Sequence, residues 1–140
     1  MTRRDVLLRS WLLVLALLGL TALLSPNTAH AQLPCKCDYA TIAVGKVPCD
    51  FKVCVKDANG LNCIGVTGGG TYKVKCNQQA SFYLVDCKGN LVQIDNGKTN
   101  CVTCVCVAPG CCVDACIGTD ADGCLYVKIG PSDPNTCKCP

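Results

Sequence analysis

The chain has 140 residues, 13 Lys plus Arg against 10 Asp plus Glu, and 16 cysteines. The formal net charge is +3, but all three arginines lie in the first nine residues. Residues 32–140 carry ten lysines against nine aspartates, a balance that gives no electrostatic case for nucleic acid or an anionic membrane. Cysteine at this density is the composition of a disulfide scaffold.

Residues 1–31 read as a secretory signal peptide, removed on export. Arg3, Arg4 and Arg9 supply a positive start, "WLLVLALLGLTALL" is an apolar run, and Ala29-His30-Ala31 is a small-x-small cleavage site. The run is shorter than the roughly twenty residues of a membrane helix, and no comparable run follows, so no span is expected after cleavage. "TRRDVLL" also resembles a twin-arginine export signal, but the h-region is more hydrophobic than that route usually has, which favours general secretion. "QLP" before Cys35 is no lipobox.

Residues 32–140 are then expected to form one cysteine-rich β domain. This segment has ten lysines, nine aspartates and no His, Glu or Arg. It lacks the commonest general base and the bidentate anion clamp. An enzyme would have to work with Asp, Lys, Tyr, Cys and two serines, Ser81 and Ser132, and no cysteine has a histidine to activate it. No enzyme and no cofactor are expected.

In residues 32–140, thirteen valines against five leucines favour strands. Alternating or apolar runs stand at 39–45, 51–56, 63–67, 71–76, 81–86, 91–95, 101–107, 112–117 and 124–129. Between them lie the turns "DANG" (57–60), "GGG" (68–70), "CKGN" (87–90), "DNGK" (95–98) and "DADG" (120–123). About nine short strands with regular turn signals predict an all-β, antiparallel sandwich or barrel. The turn glycines supply the positive φ of tight hairpins.

Two segments share a pattern. Cys49, Cys54, Cys63 and Cys76 follow C-x4-C-x8-C-x12-C, and Cys111, Cys116, Cys124 and Cys137 follow C-x4-C-x7-C-x12-C, each with Asp-Ala-(Asn/Asp)-Gly between its second and third cysteine. This suggests an internal duplication of a hairpin unit. Duplication predicts matched partners for the two quartets, with bonds reaching other strands more than closing a hairpin tip. Cys35-Lys-Cys37 and Cys137-Lys-Cys139 suggest that both ends are tied down.

"CVTCVCVAPGCC" (101–112) decides between staples and ligands. Only Cys101 and Cys104 have the spacing of a zinc knuckle, and a ribbon site needs two such knuckles. On a regular strand Cys104 and Cys106 would lie on one face about 6.6 Å apart with parallel Cβ directions, poorly placed to bond each other. Export also takes thiols into an oxidising compartment. The disulfide candidates are therefore Cys35, Cys37, Cys49, Cys54, Cys63, Cys76, Cys87, Cys101, Cys104, Cys106, Cys111, Cys112, Cys116, Cys124, Cys137 and Cys139, an even number that could form eight bridges, with no metal ligand assigned. The half EF-hand at Asp120-x-Asp122-Gly123 puts Gly118 and Ile129 where carboxylates are required, so a plain turn is expected.

The function expected is a secreted, extracellular or cell-surface module (periplasmic if bacterial and retained), structural or binding and without catalysis. Its partner is an unknown protein or surface, with self-assembly included. The alternatives are a metal-thiolate protein of the envelope and a small secreted toxin or inhibitor.

Overall fold

The computed structural model describes residues 32–139; the signal-peptide reading of 1–31 lies outside them. Ten strands form: β1 (Leu33–Pro34), β2 (Tyr39–Val44), β3 (Phe51–Asp57), β4 (Gly60–Val66), β5 (Thr71–Lys75), β6 (Gln79–Val85), β7 (Leu91–Gln93), β8 (Cys101–Ala108), β9 (Cys111–Thr119) and β10 (Leu125–Pro131). All nine sequence-predicted strands are present. The short β1 was not foreseen, because two residues carry no periodicity. Among the described residues no helix is long and apolar enough to cross a membrane.

The strands divide into two five-stranded sheets in a sandwich-like arrangement. One runs β1-β6-β3-β4, with β7 also on β6; the other runs β5-β2-β10-β9-β8. Neither closes into a barrel. Alternation in β2, β9 and β10 turns one side of each strand inward. Ile42, Val113 and Val127 from one sheet meet Val53, Phe82 and Leu84 from the other in a single core cluster.

The antiparallel expectation fails in one ladder. β10 pairs with β2 in parallel, Tyr126 opposite Thr41 through Ile129 opposite Val44. Parallel neighbours need a crossover, and here nearly the whole domain is the connection. The pairing sets the N-terminal and C-terminal strands side by side in one sheet.

The turns follow the aspartates and glycines. In Asp86–Asn90 and Asp120–Cys124 the first Asp accepts hydrogen bonds through Oδ1 from the amides two and four residues on, at 2.7–3.0 Å. The fourth residue, Gly89 or Gly123, has φ of 83° or 79°. Such side-chain acceptors are why aspartate favours turns over ladders. In the β3–β4 hairpin Asp57 pairs with Gly60, and the Asn59 amide donates to Asp57 Oδ1.

Candidate functional site

The bridges are the chain's dominant chemistry. Six are unambiguous: Cys35–Cys76, Cys37–Cys124, Cys49–Cys111, Cys54–Cys63, Cys101–Cys116 and Cys104–Cys137. Cys54–Cys63 and Cys101–Cys116 join residues directly opposite in the β3–β4 and β8–β9 ladders, with Cα atoms 4.0 Å apart. That is the close approach of non-hydrogen-bonded antiparallel pairs. Cys35–Cys76 ties the end of β1 to the end of β5 in the other sheet. Both Cys-Lys-Cys motifs are held, as their positions suggested.

The remaining four cysteines do not resolve into two bridges. Cys139 is in bonding contact with both Cys106 and Cys112, and a sulfur forms only one disulfide, so these are alternatives. Cys87 is exposed and carries no bridge. Of the eight bridges that the even cysteine count allowed, six are thus assigned outright and a seventh joins Cys139 to Cys106 or Cys112.

The matched partners expected from duplication are found at the first position, where Cys49 and Cys111 bond each other, and fail at the second and third. Both quartets do build antiparallel hairpins, β3–β4 and β9–β10. Yet Cys54 bonds Cys63 within its own hairpin, whereas the corresponding Cys116 and Cys124 bond Cys101 and Cys37. Turn length and register explain the difference: in the second hairpin Cys116 stands opposite Lys128 and Cys124 lies in the 120–124 turn, whereas the first hairpin closes tightly at Asp57 and Gly60. That tight turn brings Cys54 and Cys63 into register, with Val55 opposite Asn62 and Lys56 opposite Leu61.

The "CVTCVCVAPGCC" segment is β8 and the start of β9. β8 sends Cys101 to β9 and Cys104 to the C-terminal segment, so it links two other regions. It is not a regular strand. The register passes from Val102–Ala115 to Val105–Val113, leaving Thr103 and Cys104 opposite Asp114. Cys104 takes a φ of 54°, and its amide donates to Asp114 Oδ1 at 2.9 Å. The Ser132 hydroxyl donates to the same oxygen at 2.6 Å. Both sequence-singled serines are thus placed: Ser132 supports the bulge, and Ser81 is buried in β6.

Beyond the bulge, Cys106 stands opposite Cys112 with their Sγ atoms 3.4 Å apart. Cys106, Cys112 and Cys139 form a three-sulfur group within 4.8 Å, and Cys104, Cys112 and Cys137 form a second. A cleft of about 420 Å³ on one side is lined by Cys87, Cys104 and Cys106, and another of about 530 Å³ by Cys112, Cys137 and Cys139. The Cys87 amide donates to the Cys106 carbonyl at 2.8 Å, fixing the 86–90 turn against β8. Asp86 organises that turn. The Asn90 amide, with help from Lys88, holds its carboxyl below the usual carboxylate range.

Sequence reasoning named every one of these cysteines but could not distinguish these four from the other twelve. One signal was available: Cys87 lies in the turn "DCKGN" rather than on an alternating strand. No known protein family, curated protein or solved structure matches the chain. Its own geometry defines a small disulfide-stapled all-β protein with a cluster of cysteine sulfurs lining two clefts.

Proposed function

We propose that the chain is a non-catalytic structural or binding module working in an oxidising space outside the cytoplasm. The observation that carries this reading is the placement of the bridges. They pin both ends of the described chain, join one sheet to the other, and commit most of its sulfur to covalent restraint. Disulfides of this number persist where thiols are not kept reduced. The test is the protease half-life of the oxidised chain against the reduced and alkylated chain. At least a tenfold longer life for the oxidised form is expected, and equal lability would sink the reading.

An assembling role has separate support in β4. This edge strand has β3 as its one neighbour, and its seven residues "GLNCIGV" carry neither charge nor proline. Those are the usual guards of a free edge. Leu61, half exposed, stands on it. Two copies could add their β4 edges without like-charge repulsion. Sedimentation of the oxidised chain should show concentration-dependent association that Leu61→Lys weakens.

The two three-sulfur groups favour metal-thiolate binding as a second reading. Zinc and copper(I) accept thiolates, but the bridges must first open. Stoichiometric zinc on the reduced, refolded chain, with ligands mapping to Cys106, Cys112 and Cys139, would support it. For a toxin or inhibitor there is less support. The longest connection between strands, 94–100, is drawn in by Asn96, which accepts the amides of Lys98 and Thr99, and by Asn100, which donates to the Ile117 carbonyl.

A further inference from the structure

We propose that the outer face of the β5-β2-β10-β9-β8 sheet is a docking surface for a polyuronate, an acidic polysaccharide with one carboxylate per sugar. Such a surface deepens the binding-module reading and rests on it. Alternation fixes which side chains stand on that face. Val74, Ala40, Ile42 and Val127 are buried in the core between the sheets. Their strand neighbours Lys73, Lys75, Tyr39, Thr41, Tyr126 and Lys128 therefore point the other way. The ladders set them side by side: Lys75 opposite Tyr39, Lys73 opposite Thr41, and Tyr126 opposite Thr41 on its other flank. Lys128 stands two residues beyond Tyr126, opposite Ala43. The three lysine Cα atoms thus lie within roughly 13 Å along the strands and about 10 Å across them.

Charge is segregated rather than balanced in place. Asp57, Asp86, Asp95, Asp120 and Asp133 each accept a backbone amide in the connections outside the strands or at their ends. The strands of this sheet contain one carboxylate, Asp114, and three lysines. Asp114 Oδ1 is already taken by the Cys104 amide and the Ser132 hydroxyl. Lys73, Lys75 and Lys128 are exposed, and among the described residues they make no ion pair. The face therefore keeps a positive local field although residues 32–140 as a whole are close to neutral.

Shape and residue type select the partner. Small residues flank the Tyr126 ring, Thr41 on β2 and Gly118 on β9, so an extended chain can lie across an open surface. Tyr39 is 55% exposed, and a tyrosine ring offers its negative face to the positively polarised C–H groups of a sugar. Lysine adds compact point charges on flexible stems, which follow carboxylates without demanding a fixed fork. Nucleic acid fits less well, because residues 32–140 contain no arginine to grip phosphate or guanine in two places. An anionic membrane fits less well too. The exposed Leu61 and Leu91 that could anchor in lipid stand on β4 and β7 of the other sheet. That sheet also carries Lys52 and Lys56, but its Tyr83 is buried.

The test titrates the oxidised chain with polygalacturonate, its fully methyl-esterified form, a thymidine oligonucleotide and phosphatidylserine vesicles, each at low and at physiological salt. Saturable binding to polygalacturonate is expected, weakened at least about threefold by physiological salt and lost on the esterified chain. Lys73→Gln combined with Lys128→Gln should weaken it at least about fivefold, and Tyr39→Ala at least about threefold. Lys52→Gln combined with Lys56→Gln, on the other sheet, should leave it within about twofold. All these positions are exposed, so the variants should keep the wild-type melting temperature. Absence of saturable polygalacturonate binding would overturn the proposal. So would equal binding of the esterified chain, the oligonucleotide or the vesicles, or a Tyr39→Ala affinity unchanged from wild type. The protease half-life of the oxidised chain does not depend on this face, so failure here leaves the stapled module standing.

Discussion

Asp114 Oδ1 accepts the amide of Cys104 across the β8–β9 ladder at 2.9 Å, and so holds a non-glycine residue at a φ of 54°. The same oxygen takes the Ser132 hydroxyl. One carboxylate therefore fixes both the bulge that aims Cys104 at Cys137 and the start of the C-terminal segment carrying Cys137. Left-handed φ is uncommon outside glycine and persists where neighbours determine it. Asp114→Ala should lower stability by about 1–3 kcal/mol, since it strands one amide and one hydroxyl. Asp114→Asn, which keeps an acceptor oxygen, should lose less. Guanidinium unfolding of both variants with bridges intact checks the order.

The turn glycines separate conformation from crowding. Gly60 has a φ of 117°, and a Cβ built on it would meet nothing within 4 Å. Gly118 is equally open but is not in the left-handed region. Gly60→Ala should therefore cost about 1 kcal/mol through backbone strain alone, while Gly118→Ala should be near neutral. Gly123→Val should cost at least as much as Gly60→Ala, because β-branching worsens positive φ. Equal melting temperatures for the Gly60 and Gly118 variants would contradict the argument.

Calcium should leave the melting temperature unchanged at millimolar levels. Asp120 Oδ1 already accepts the amides of Asp122 and Cys124 and is an organiser of its own turn. A ligand that binds only the folded state must stabilise it, so a clear rise would identify an ion site.

Asp86 gives the 86–90 turn a pH dependence whose sign is fixed. Its folded pKa is lowered, first by the Asn90 amide. The contribution to turn stability is then complete above the ordinary carboxylate range and is lost as pH falls through the lowered value. Amide exchange at Lys88 and Asn90 should quicken in that acid window relative to core amides. Unchanged protection there would refute the role of the carboxylate.

Local chemistry was legible and distant pairing was not. "FKVCVKDANGLNCIGV" announced a hairpin, because alternation and Asn-Gly act over a few residues, and β3–β4 follows. The parallel β2–β10 ladder depends on contacts between residues such as Ile42 and Val127, whose separation leaves no local trace. The bulge at Cys104 was hidden for the same reason, since Asp114, which fixes it, lies ten residues on. Composition announced disulfides, but a strand's text cannot say that Cys106 and Cys112 would compete for Cys139.

The bridges should differ in worth according to the loops they close in the unfolded chain. Cys54–Cys63 spans a sequence separation of 9, and no other bridge lies within it. On the chain-entropy account a loop of that size is worth about 2–3 kcal/mol. Cys49–Cys111 spans 62, which taken alone would suggest about 4.3 kcal/mol. That value overstates its effect, because Cys37–Cys124 already draws the two segments together in the unfolded chain. The path from Cys49 back to Cys37, across that bridge, and from Cys124 back to Cys111 is roughly 25 residues, which lowers the expectation to about 3.5 kcal/mol. Double replacement by alanine should therefore cost about 1 kcal/mol more at Cys49 and Cys111 than at Cys54 and Cys63. Removing Cys37 and Cys124 first should widen that gap, because the remaining loop is then longer. Unfolding of the double and quadruple variants measures the coupling directly. Strict additivity would show that the bridges act through native contacts rather than by restricting the unfolded chain.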